Sequence, residues 1–237
     1  MRLRTKLMGG VLTAAALVGS VGAGTARADT SGRDDDTRRS AVAGPLPYAL
    51  LAAQWWKWAL ETPTADNPLL DTTGASCAVR QPRFGPWFLA GQATNEPITR
   101  TCAVPRDRPL FFPAINLFFG AFLNDPAEQR TLAFARSAVA CESGATASVT
   151  VDGRTLPGRQ LVHEQSVPFR VQLPASNVFG LTPDVATDLV LSPSVDQGDY
   201  VLLPPLRRGA HTIHIVSALT ASCGGATNDI TYHLTVG

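Results

Sequence analysis

No G-x-S-x-G nucleophile elbow and no glycine-rich phosphate loop of either standard spacing occurs in this chain of 237 residues. The first absence removes the usual sign of a serine hydrolase, and the second argues against a nucleotide; no cofactor is implied. Nor is there a C-x-x-C pair, so the cysteines do not read as a structural zinc site. An excess of one charge is missing too. The formal net charge is +1, and loss of an N-terminal leader carrying Arg2, Arg4, Lys6 and Arg27 would leave about 3 net negative charges. With no basic stripe to neutralise phosphates, nucleic acid is not an expected partner. After the leader no apolar run is long enough for a membrane span, since the strongest candidate, Leu110 to Leu123, is broken by Pro113, Asn116 and Gly120.

The leader itself is legible. A positive stretch precedes an apolar run from Leu7 to about Ala23, and Ala26-Arg27-Ala28 stands before Asp29, the order of a secretory signal peptide over residues 1–28. Glycines 9, 10, 19 and 22 weaken the run as a retained anchor. Residues 29–44, rich in Asp, Arg, Ser, Thr and Gly, read as a disordered arm, and residues 45–237 as a single β-rich domain. Export would place Cys77, Cys102, Cys141 and Cys223 in an oxidising compartment. Three pairings are open; Cys77 with Cys102 and Cys141 with Cys223 is favoured, each pair flanking its own β region.

The clearest helix spans Pro47 to Glu61. Tyr48, Leu51, Ala52, Trp55, Trp58 and Ala59 share one side of a 100° wheel, and Gln54, Lys57 and Glu61 the other. Trp56 falls at the margin of the apolar arc, which suits either core packing or a ring platform for a sugar or other planar ligand. A second helix is expected from Asp125, with Pro126 in its first turn and Glu128 closing a capping box, to about Cys141, with Gly144 as a left-handed terminator.

Short strands are expected at Trp87 to Ala90, Thr99 to Val104, Leu110 to Phe112, Ser148 to Val151, Arg154 to Leu156, Phe169 to Leu173, Tyr200 to Leu203, His211 to Leu219 and Ile230 to Val236. Asp152-Gly153 is the pair that a type I′ hairpin turn prefers. The fold class is therefore mainly β, a β-sandwich elaborated by two α-helices. From about residue 147 to residue 237 the pattern resembles an immunoglobulin-like sandwich, without the Cys, Trp and Cys spacing of true immunoglobulin domains. That resemblance is architectural and carries no function.

A second resemblance rests on Trp55-Trp56-Lys57-Trp58, Asn67-Pro68, Asp71, Gly74, Cys77, Trp87-Phe88-Leu89-Ala90-Gly91, Arg100-Thr101-Cys102, Val104-Pro105 and Phe111-Phe112-Pro113. Together these are similar to a group of uncharacterised secreted bacterial proteins over most of the mature chain. The resemblance implies export and one integrated domain, and offers no activity to carry over.

Residues that could do chemistry are few. Antiparallel pairing across Cys223-Gly224-Gly225 would bring His214 and His233 together on one outward face with Thr212 and Thr231, a pair able to bind copper or zinc or simply to lie in solvent. His211, on the opposite face beside Ile213 and Ile215, is either a hydrogen-bonded core histidine or the rim of a cleft. A glycosidase would need two carboxyl groups about 5 to 10 Å apart, and Asp71, Glu142, Glu164 and Asp199 are the candidates. Two functions follow. One is a secreted, non-catalytic binding protein for a small molecule or carbohydrate, with Trp56 and Trp87 as the stacking surface. The other is a small extracellular hydrolase or cyclase using His211, Glu164 and Asp199 as acid and base.

Overall fold

A computed structural model describes residues 48–182 and 188–237; the proposed signal peptide and arm lie outside the described residues. The first helix, α1 (Tyr48–Leu60), forms where its apolar periodicity places it, and buries Leu51, Ala52, Trp55, Trp58 and Ala59. Its tryptophans also fasten loops. Trp55 Nε1 donates to the Leu89 carbonyl at 2.9 Å and Trp58 Nε1 to the Val79 carbonyl at 2.9 Å. Lys57 on the outer side pairs with Glu61 at 2.6 Å, the favourable i to i+4 spacing.

Among the described residues ten strands follow: β1 (Trp87–Phe88), β2 (Ile98–Val104), β3 (Leu110–Phe122), β4 (Thr146–Val151), β5 (Arg154–Thr155), β6 (Val162–Gln165), β7 (Phe169–Gln172), β8 (Val190–Leu203), β9 (Gly209–Ala218) and β10 (Thr227–Val236). They build two sheets of five. One runs β1-β3-β8-β6, with β7 beside a further stretch of β8; the other runs β2-β10-β9-β4-β5. The main core lies between them, with Phe112, Ala114, Val201 and Leu203 meeting Val149, Ile213, Ile215, Ile230, Tyr232 and Leu234. On the other face of the first sheet, α1 covers Phe111 and Tyr200, whose rings stack at 5.3 Å. The result is a mainly β, sandwich-like arrangement with two helices, α1 and α2 (Leu132–Val139). Both sheets draw strands from before residue 147, so the stretch from about 147 onward makes up only part of the sandwich. No helix among the described residues is long and apolar enough to cross a membrane.

The short-range signals hold. Asp152 (φ 51°) and Gly153 (φ 74°) both take the left-handed backbone of a I′ turn between β4 and β5. Ile230, Tyr232, Leu234 and Val236 point inward along β10. Cys77 bonds to Cys102 and Cys141 to Cys223, with Cα separations of 5.9 and 5.6 Å, the favoured pairing.

Three expectations are corrected. β3 continues ten residues past the expected end at Phe112, because Pro113 lies beyond the end of β1, where a missing N–H breaks no ladder, and Gly120 admits the Ser194 and Phe118 side chains where a Cβ would collide at 2.8 Å. β8 starts at Val190 and not Tyr200, carrying Asp196-Gln197-Gly198-Asp199 inside the sheet and not in a loop. The second helix begins at Thr131, whose hydroxyl accepts the Phe134 N–H; Asp125 instead takes the Phe122 N–H at 2.7 Å. A 3₁₀ turn, Ala140–Gly144, then ends it, and Gly144 is not left-handed.

Candidate metal centre

Strand register creates the site. His163 on β6 lies directly opposite Asp199 on β8, and in an antiparallel ladder opposed residues share a face. His163 Nδ1 is 2.9 Å from Asp199 Oδ1. Two residues along, Gln165 Nε2 donates to Gln197 Oε1 at 3.1 Å on the same face. The 3₁₀ turn after α2 lies over them, tied down by Gln197 Nε2 to Ser143 Oγ at 2.8 Å and, two residues earlier, by the Cys141–Cys223 bridge. Between these two ties stands Glu142, its side chain 0% exposed and Oε2 3.5 Å from His163 Nδ1.

One donor atom each from Glu142, His163 and Asp199 lies within 4.8 Å of the other two. Among the described residues it is the one such group of three. Neither Glu142 oxygen finds a hydrogen-bond partner there. A buried carboxylate without partners is expensive. Burial first, and then the charge of Asp199, push the Glu142 carboxyl up to about 7, against the pull of His163 and of the nearby Gln197 amide. His163 is 47% exposed on its side chain, which leaves the cluster open to solvent from that side.

The raised carboxyl has a measurable consequence. A group whose folded pKa exceeds its unfolded value stabilises the fold below the unfolded pKa and loses that contribution as pH rises through the folded one. For Glu142 the window runs from 4.5 to about 7. Across it, metal-free wild type should lose about 3 kcal/mol more stability than Glu142→Gln, following 1.36 kcal/mol per unit. Urea midpoints at pH 4.5 and 7.5 give that difference, and equal slopes for the two proteins would contradict it.

Of the residues singled out from sequence, Asp199 belongs to this cluster, and Glu142, weighed only as a glycosidase carboxyl, is its buried member. Glu164 is excluded by one position: it opposes Gly198 and points to the other face. His211, another of the candidates, lies outside the cluster. Its Nδ1 meets Asp152 Oδ2 in the β4–β5 turn at 2.7 Å, and its Nε2 the Arg207 carbonyl just before β9 at 2.7 Å. His214 and His233 occupy the diagonal positions expected of them, opposite Thr231 and Thr212. His214 Nε2 is bonded to Asp229 Oδ1 at 2.8 Å, and neither histidine belongs to the group of three.

The two rings expected to form an aromatic platform lie apart from this cluster. Trp87 is 8% exposed, lies in the core between the sheets and has the Arg108 guanidinium 5.5 Å above its ring. Trp56 packs between Trp55, at 5.0 Å, and Phe118, at 4.8 Å, with its Nε1 buried and facing the Asp196 carboxyl. Trp87 is thus buried, while Trp56 is half-buried. Asp196 itself is fully buried beneath α1, accepts the Tyr200 hydroxyl, and is likewise pushed up to about 7 by burial.

The donor set suits a metal. One imidazole nitrogen and two carboxylate oxygens are ligands that Zn²⁺ and Mn²⁺ accept, whereas Ca²⁺ takes six to eight oxygens. No family model matches the chain, and no curated protein matches it, so the cluster must be read from its own geometry.

Proposed function

We propose that this chain is an exported, non-catalytic binding protein whose ligand is a divalent metal ion held by Glu142, His163 and Asp199. The observation that carries the reading is Glu142: a carboxylate out of water, without a hydrogen-bond partner among the described residues, set beside a second carboxylate and an imidazole. An ion would supply the missing counter-charge, with His163 Nδ1 turned from Asp199 to the metal and solvent filling the remaining positions. Export is supported by the leader pattern, by two disulfides and by the resemblance to secreted bacterial proteins.

Calorimetric titration of the oxidised protein with Zn²⁺, Mn²⁺ and Ca²⁺ tests this. The expected result is one Zn²⁺ or Mn²⁺ per chain, with affinity falling at least tenfold in Glu142→Gln, in His163→Ala and in Asp199→Asn. Binding in His214→Ala should be unchanged. Saturable binding that survives Glu142→Gln and is lost in His214→Ala would overturn the assignment in favour of the outward histidine face.

A further inference from the structure

The loop before β1 holds an aromatic ring in water on a braced frame. Phe84 is 80% exposed at its apex, the most exposed large apolar side chain among the described residues. The loop beneath it is not loose. Gln81 closes its base, donating from Nε2 to the Cys77 and Phe88 carbonyls at 2.8 Å each and accepting the Phe88 N–H at 2.8 Å. Arg108, from the β2–β3 turn, braces the far side, with Nε to the Gly85 carbonyl at 2.8 Å and Nη2 to the Pro86 carbonyl at 2.7 Å. Pro82 and Pro86 stiffen the backbone, and Gly85 takes the left-handed turn at φ 81°.

This loop and the adjoining β2–β3 turn are rich in positive charge. The Arg83 guanidinium lies 5.5 Å from the Phe84 ring centre. Arg80 stands exposed three residues before it, and Arg106 is exposed on the same turn that supplies Arg108. Asp107 is the one acid in these two segments. The apex therefore offers an exposed apolar ring with one guanidinium against it and two further exposed arginines on the same loop and the adjoining turn, and none of these residues belongs to the metal cluster.

We propose that this apex is a docking surface for an anionic lipid bilayer: Phe84 enters the region between headgroups and acyl chains while Arg80, Arg83 and Arg106 meet lipid phosphates. Basic residues beside an anionic surface add attraction individually, and an inserted ring adds apolar burial. A flat acidic protein would match the charge and leave Phe84 in water. Because Gln81 and Arg108 already fix the loop, little ordering is needed on contact.

The test is sedimentation of the processed protein, purified from a secreting host, with vesicles of phosphatidylcholine alone or mixed with phosphatidylglycerol. Binding is expected on the mixed vesicles and not on phosphatidylcholine, weakened about tenfold in Phe84→Ala and in the Arg83→Gln/Arg106→Gln double variant. It should fall steeply with salt. In a Phe84→Trp protein, brominated acyl chains should quench more emission than they do in wild type, which reads insertion directly. Phe84 supports no core, so its variants keep the wild-type melting temperature. Failure to bind mixed vesicles, or undiminished binding by Phe84→Ala, would overturn the proposal; retention on an acidic polypeptide with no vesicle binding would overturn it in favour of a protein partner.

Discussion

Replacing Cys141 and Cys223 together by serine should lower stability by about 4.5 kcal/mol and the melting temperature by roughly 10 °C. The bridge closes a loop with a sequence separation of 82, and the loss of loop-closure entropy in the unfolded chain grows with that length. The site should respond as well. Glu142 follows Cys141 directly, and the bridge is one of the two ties that hold its turn over His163 and Asp199. Zn²⁺ affinity should therefore fall in this variant at temperatures where it is still folded. The Cys77→Ser/Cys102→Ser protein is the control, because its loop is shorter, with a separation of 25, and its bridge lies outside the cluster. It should lose about 3.5 kcal/mol and bind the metal as wild type does. Calorimetry with metal titration separates the two, and equal affinities in both double variants would sink the idea that the bridge supports the site.

Arg100→Met should cost about 3 to 5 kcal/mol. Arg100 is 1% exposed and works as a junction: Nε donates to the Asp71 carbonyl at 2.6 Å, and Nη1 meets the Ala90 carbonyl at 3.0 Å and the Gly91 carbonyl at 2.9 Å. Nη1 also bonds the Tyr232 hydroxyl, so one side chain fastens two loops to the β2–β10 side of the second sheet. Methionine fills much of the volume and leaves buried carbonyls without donors. Lysine reaches one or two of these acceptors with a single ammonium and should recover less than half of the loss. Chemical denaturation at constant m-value measures both; a loss under 1 kcal/mol for methionine would show that water replaces the guanidinium.

What could be read before the structure was what short-range chemistry encodes. The face of α1 follows from 3.6-residue periodicity, the β4–β5 hairpin from Asp152-Gly153, and the β9–β10 pairing from two alternating segments separated by a glycine pair. β3 and β8 were foreshortened because Pro113, Gly120 and the polar run Asp196 to Asp199 look like interruptions. Distant partners make them strand. Ser166 Oγ meets the Asp196 backbone, Tyr200 its carboxyl, and Gly198 lies where a Cβ would strike the Ile115 carbonyl at 2.5 Å. The cluster was hidden for a related reason. Glu142, His163 and Asp199 come from three segments, and only the register of β6 on β8 selects His163 and rejects its neighbour Glu164. The misplaced stacking surface has a simpler origin. A helical wheel tells which side of α1 is apolar, and it does not tell that Phe118 from β3 will cover the margin where Trp56 sits.

β2 and β10 run parallel in perfect register from Ile98 with Ile230 to Val104 with Val236, so partners roughly 130 residues apart must meet before the second sheet is complete. Pairing at such separation is slow, because the entropy of closing the chain is lost before any contact rewards it. Under the proposed export, slowness would be an asset: a chain threaded unfolded through a translocation channel would stay pliable inside the cell and lock only on the far side, where its thiols can be oxidised.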